Sequence, residues 1–151
     1  MGTLLIESVM AEHGGDHLIV VPAAATVREA AALMVARNVG AVIAMSEDEL
    51  ASGIFTERDL LTRVVHAGLD PDTTPVSLVM TRDVKFVSSG TTVEAALALM
   101  HVNHHRHLLV IDGPRVHGLV SMRDLVVHLI RRGEGRYESA LRSGAPTPEE
   151  S

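Results

Sequence analysis

Gly53-Ile54-Phe55-Thr56-Glu57-Arg58-Asp59 and Gly118-Leu119-Val120-Ser121-Met122-Arg123-Asp124 follow one formula, 65 residues apart. Each is a short apolar run that ends on a hydroxyl residue and continues into Arg-Asp. A run bounded in this way reads as a strand end. A hydroxyl with an acid three positions later reads as a helix start. Working outward, Thr26-Val27 meets Thr92-Val93 at an offset of 66, which carries Ala30 onto Ala96, Ala32 onto Ala98, Leu33 onto Leu99 and Met34 onto Met100. One residue is dropped in a later loop, after which Arg58-Asp59-Leu60 meets Arg123-Asp124-Leu125. One supersecondary unit is used twice, and that repetition decides the architecture before any single element does.

Each unit reads strand, helix, strand, strand, helix. In the first, residues 18–21 form an apolar strand ended by Pro22, and Thr26 caps a helix to about Asn38 whose buried face holds Val27, Ala30, Ala31 and Met34. Residues 41–45 and 51–55 are strands around a polar turn at 46–49. Residues 57–67 are a helix with Leu60, Leu61, Val64 and Val65 as its stripe, stopped by Gly68. The second unit repeats the plan with strands at 84–87, 107–111 and 116–120, helices at 92–103 and 122–131, and a turn at Asp112-Gly113-Pro114. Ser8-Val9-Met10 and Leu78-Val79-Met80 are matching lead-ins, and 70–74 reads as a linker. The expected division is 1–69 for the first repeat with its lead-in and 70–132 for the linker and second repeat. Residues 133–151, poor in apolar side chains, read as a mobile tail with a short turn at 137–141.

Composition narrows the function classes. The 151 residues are 46% hydrophobic, enough for a real core, but only 2% aromatic, which argues against stacking platforms for single-stranded nucleic acid. A formal net charge of -6 shows no basic footprint for a phosphate backbone, although a few local cations could still hold a small anion. With no cysteine, disulfides, thiolate zinc sites and thiol catalysis are excluded. The start of the chain carries Glu7 and no basic cluster, so it does not read as a targeting peptide, and Ile6 breaks the myristoylation pattern that Gly2 would open. No apolar run approaches the roughly 20 residues of a membrane span. A cytoplasmic protein, without nucleic-acid or membrane partners, is the expectation.

The repeated turn has two readings. As plain structure it is a capping box, the hydroxyl capping the helix and the acid folding back onto the capping residue's N–H. As a site, its carboxylate can accept the two hydroxyls of a ribose, the helix start can receive phosphate, and the neighbouring Arg adds a bidentate donor. The two readings are compatible. Occurrence of the pattern in both halves, with a Gly three residues before each hydroxyl and an Arg before each Asp, favours the site.

The two G-h-x-[ST]-x-R-D segments, the Thr-Val-x-x-Ala helices and the strand Arg106-His107-Leu108-Leu109-Val110-Ile111-Asp112 resemble a CBS-domain pair (a Bateman module), over about residues 4–131. With no catalytic domain appended, the chain looks like the small stand-alone members of that family. The resemblance implies an α+β fold of two β-α-β-β-α repeats related by pseudo-two-fold symmetry. It also implies AMP, ATP, NAD(H) or S-adenosylmethionine as ligand in clefts between the repeats. By resemblance, Asp59 and Asp124 hold ribose hydroxyls and Thr56 and Ser121 meet ribose or phosphate; Arg58 and Arg123 are the neighbouring donors read from the turn itself. Arg106 and His107 contact phosphate with Thr91 or Thr92 nearby, and Val20 and Phe86 lie on strands that flank adenine. The first repeat has Gly40-Ala41 where the second has Arg106-His107, so the two sites are not equivalent. The expectation is that the Asp124 cleft binds phosphate more tightly than the Asp59 cleft, and that its affinity falls as pH rises through the His107 titration. Leu109 stands where many members have Pro, a change in strand geometry.

His101, His104, His105 and His107 cluster near a helix end. The i, i+4 pair of His101 and His105 could hold a metal, but no acid or Cys completes a set, and a helix C-terminus favours His through its dipole. Met34, Met45 and Met100 read as core filling, and Arg131-Arg132 as an exposed helix end. No nucleophile–base pair, Gly-rich phosphate loop or metal triad is present, so catalysis is not expected and no obligatory cofactor is implied. The expected function is a regulatory module for an adenine nucleotide, with a regulated enzyme or transporter in trans. The alternative is a ligand-free dimerisation module. The stripes of the last helix in each repeat, the second being Leu125, Val126, Leu129 and Ile130, look too wide for burial within one repeat and predict a homodimer.

Overall fold

The computed structural model describes residues 3–12 and 17–133. The expected tail and its short turn lie outside them, apart from Gly133. Two three-stranded sheets hold strands in the orders β1-β2-β3 and β4-β5-β6. In the first, β1 (Val20–Pro22) is parallel to β2 (Ala41–Met45), which is antiparallel to β3 (Ala51–Thr56). In the second, β4 (Phe86–Val87) is parallel to β5 (His107–Asp112), and β5 is antiparallel to β6 (Arg115–Ser121). A parallel pair needs a crossover, supplied here by α2 (Val27–Arg37) and α5 (Val93–Asn103). Bulges fall at the matching steps Ala44/Met45 and Val110/Ile111.

The helix boundaries follow from their caps. Thr26 caps α2 in a reciprocal box with Glu29, and Asn38 ends it in the left-handed region at φ 54°. Thr92 caps α5, and His104 ends it at φ 56°. The last helix of the first repeat, α3 (Glu57–Asp59), runs straight into a π-helical segment over Leu60–Val65, whereas α6 (Met122–Gly133) is α-helical throughout. The extra residue per turn rotates Val64 to full burial and leaves Arg63 beside the site.

The lead-ins are short helices, α1 (Ile6–Glu12) and α4 (Val76–Val79), and each packs on the repeat that chain order would not assign to it. Ile6 and Val9 sit in the core of the second repeat with Val87, Val93, Met100, Leu108 and Leu125. Val76, Val79 and Met80 sit in the core of the first with Val21, Val27, Met34 and Phe55. Backbone bonds fix both crossings: Ile6 N–H donates to Thr91 O at 2.9 Å, and Val76 N–H donates to Ala25 O at 2.8 Å. The boundary at 69/70 therefore divides the sequence but not the packing. A third cluster joins the sheets face to face, Ala41, Ile43 and Ile54 from one against Leu109 and Leu119 from the other. Among the described residues, no helix is long and apolar enough to cross a membrane.

The expected dimer stripes are only partly free. Val64 and Leu125 are buried in their own cores, and Leu60 and Leu129 pack against them. Leu61, Val65 and Val126 stay exposed. Because α1 and α4 crowd these helices, each stripe loses its inner residues to the intrachain core.

Candidate functional site

Both repeated turns sit where a strand gives way to a helix. Thr56 ends β3, its hydroxyl accepts from Asp59 N–H at 3.1 Å, and Asp59 Oδ2 accepts from Thr56 N–H at 3.0 Å. Ser121 and Asp124 form the same pair of bonds at 3.0 and 2.9 Å. The glycines that open the two formulas are close-approach positions. A Cβ on Gly53 would lie 2.5 Å from Thr81 O, and one on Gly118, at φ 149°, 2.6 Å from His17 O. Thr81 and His17 thus run alongside β3 and β6, and each brings a side chain to the nearby acid.

Those side chains set the acids apart. The Thr81 hydroxyl donates to Asp59 at 3.0 and 3.1 Å, and Arg63 Nε lies 3.7 Å from Oδ1. The Asp59 side chain is only 6% exposed. Asp124 has His17 Nδ1 at 3.9 Å, and its side chain is 29% exposed. One carboxylate is covered by a hydroxyl; the other is open on the cleft side.

The first cleft has a volume of about 760 Å³. Thr56, Arg58, Asp59, Arg63 and Thr81 enter it from the first repeat and the chain beyond, and Asn103, His104, His105, Arg106 and His107 from the second. Glu57 and Asp83 also line it, so its three arginines face three acids. The second cleft, about 340 Å³, joins Ser121, Arg123 and Asp124 to His17, Ile19, Arg37 and Gly40, again with His107 in the wall. Burial holds the His107 ring below the ordinary imidazole pKa and Arg106 adds to this, while Asp124, Glu57 and Asp59 pull it up.

This placement corrects the expected pairing of cations with acids. Arg106 does not face Asp124. It reaches the Asp59 cleft, because face-to-face sheets carry the residue before β5 to the helix start of the opposite repeat. His107 serves both clefts. Four other expected residues line neither. The Thr92 hydroxyl caps α5, and the Thr91 hydroxyl bonds Ser88 at 3.3 Å. Val20 and Phe86 are exposed strand residues, and the apolar walls come instead from Ile54 and Val84 in one cleft and Ile19 and Leu119 in the other. Among the described residues, no three His, Cys, Asp or Glu side chains gather as a metal-binding group.

Arg63, Thr81, His17 and Arg37 were not expected at the clefts. Arg63 carried one legible signal, since it aligns with His128 at the same offset of 65. Both hold a crossed lead-in: Arg63 Nη1 donates to Met80 O at 2.9 Å beyond α4, and His128, fully buried, pairs through Nδ1 with Glu12 at the end of α1.

Comparison with known proteins gives a consistent result. A family model described as the CBS domain matches residues 6–66 and 76–131. A CBS domain-containing protein of Arabidopsis thaliana is 36% identical over 120 residues, covering 80% of this chain and 22% of that protein. The CBS domain-containing protein YhcV of Bacillus subtilis is 36% identical over 103 residues, covering 68% and 72%. Among solved structures, a CBS-domain protein of Burkholderia ambifaria proposed to act in signal transduction superposes with a TM-score of 0.79 at 30% identity, covering 88% of this chain and 97% of that one. This chain spans about a fifth of the length of the curated relatives it matches first.

Proposed function

The chain belongs to the CBS-domain family, and on that premise we propose that it is a regulatory module that binds an adenine nucleotide between its two repeats. One observation carries this reading. Each hydroxyl–Arg–Asp turn opens into a cleft whose opposite wall comes from the other repeat. A ligand seated there touches both repeats, so its binding energy can bias how they sit together. The chemistry suits a nucleotide. Ribose hydroxyls donate to a carboxylate, and phosphate oxygens accept from guanidinium groups. In the first cleft the acids offset the arginines, which favours a ligand bearing hydroxyls as well as phosphate over a bare polyanion. Both acids already act in helix caps, and this supports binding rather than catalysis. The downstream partner, an enzyme or transporter regulated in trans, and a cytoplasmic setting complete the proposal.

Thermal shift with AMP, ADP, ATP, NADH and S-adenosylmethionine on ligand-free protein tests it. A ligand at about 100 times its Kd that binds only the folded state contributes about 2.7 kcal/mol. A raised midpoint with at least one of these ligands is expected, and no shift with any of them would refute the reading.

A second reading has its own observation. Leu61, Val65 and Val126 are exposed on the last helices of the repeats. Apolar side chains in such positions suit a homodimer, and a dimerisation module without ligand would need nothing else. Light scattering that shows a monomer at micromolar concentration would remove it.

A further inference from the structure

We propose, building on the nucleotide reading above, that His107 couples the two clefts as a single shared donor: a phosphate in either cleft draws a proton onto its ring, and the imidazolium then serves one phosphate on each side. His107 opens β5 opposite Ser121 and lines both cavities. Its counterpart in the first repeat is Ala41, so no second ring duplicates the position. Two clefts with one imidazole between them cannot bind anions independently of its proton.

The surroundings of the ring set its resting state. Asp124 reaches it from α6, Glu57 and Asp59 from α3, and Arg106 is its chain neighbour. Arg58 lines the first cleft and Arg123 the second. His104 and His105 in the first cleft and His17 in the second are the other imidazoles present. Burial outweighs the three acids and keeps the free ring neutral near neutral pH. A neutral imidazole has one N–H, and an imidazolium has two, on different edges of the ring. A phosphate entering either cleft favours the imidazolium. The first ligand therefore binds with uptake of a proton, and the second meets a ring already charged. Binding is cooperative above the titration of the ring and loses this coupling below it, where the proton is present before either ligand. Repulsion between the two ligands opposes the effect and leaves about ten-fold coupling, within the usual range for linked sites.

The test uses AMP, which has both ribose hydroxyls and a phosphate. Calorimetry at pH 7.5 in two buffers of different ionisation enthalpy reads protons per binding event. Uptake is expected mainly at the first event, with no more than one proton per chain in total, and His107→Gln should abolish it and make the events independent. Equal uptake at both events, uptake that survives His107→Gln, or a single event per chain would overturn the coupling. Failure of AMP and of all four other ligands of the thermal-shift set to bind would sink the nucleotide reading itself. A ligand-free measurement separates the two. In proton NMR, Asp59→Asn and Asp124→Asn should each lower the titration midpoint of the His107 ring, because each acid favours its charged form. A midpoint that ignores either substitution would detach the ring from that cleft and refute the proposal.

Discussion

The first cleft holds about 760 Å³ and surrounds a covered Asp59 with Arg58, Arg63 and Arg106; the second holds about 340 Å³ and surrounds an open Asp124 with Arg37 and Arg123. The turns that supply the two acids share the Gly, the hydroxyl and the Arg-Asp in sequence and the same reciprocal pair of capping hydrogen bonds. The differences come from elsewhere: residues 40–41 or 106–107 of the opposite repeat, and the passing segment that offers Thr81 to one acid and His17 to the other. A duplicated motif therefore fixes where an acid and a hydroxyl stand. The capacity of the cleft is set by what the fold brings across to face them.

The largest expected effects test the close approaches that make both turns. Gly53→Ala forces a methyl against Thr81 O and should cost roughly 1–3 kcal/mol, the usual range for overpacking. Gly118→Ala adds a φ of 149° that a side chain rarely adopts, so its cost should be about 2–6 kcal/mol. Urea denaturation of both variants checks the order. Equal losses would mean that the backbone at Gly118 relaxes freely.

A smaller effect should separate the two acids. Thr81→Ala removes a donor from buried Asp59, which should lower stability by about 1–3 kcal/mol while opening the carboxylate to ribose. Stability falling as nucleotide affinity in the first cleft rises is the expected pair of results. A loss of both would show that Thr81 positions the acid for ligand.

The smallest effect concerns the latches of the crossed lead-ins. The bond to His128 holds the Glu12 carboxyl below its usual pKa. The folded state then binds fewer protons than the unfolded one over that range. The stabilisation is present above the ordinary carboxylate pKa and is lost as pH falls through the depressed value. The Arg63 latch, bonded to carbonyl oxygens, has no such dependence. Wild type should lose more stability than Glu12→Gln between pH 7 and pH 4 in denaturant titrations. Parallel losses would remove Glu12 from the acid response.

The repeat, the strands and the capped helices were legible because each depends on local pattern. Thr26, Asn38 and Thr92 mark helix ends with residues whose side chains or backbone preferences belong there. The crossing of α1 and α4 was not legible. Ile6, Val9, Val76 and Val79 show that an apolar face exists but not which core receives it. The same gap misdirected Arg106: its alignment within the second repeat is sound, yet a sheet-on-sheet contact decides which acid it faces. The π-helical segment at Leu60–Val65 was equally hidden, since its stripe fits an ordinary helix over so short a span.

Calorimetry with AMP on Arg106→Ala, set beside Asp59→Asn and Asp124→Asn, tests most directly whether each cleft is built across the repeats. A charge-assisted bond to phosphate contributes about 1.5–3 kcal/mol, so Arg106→Ala should weaken one binding event roughly 10- to 100-fold. The account predicts that this is the event Asp59→Asn also weakens, with the Asp124 event changed far less. Arg106→Ala weakening instead the event that Asp124→Asn removes would contradict it.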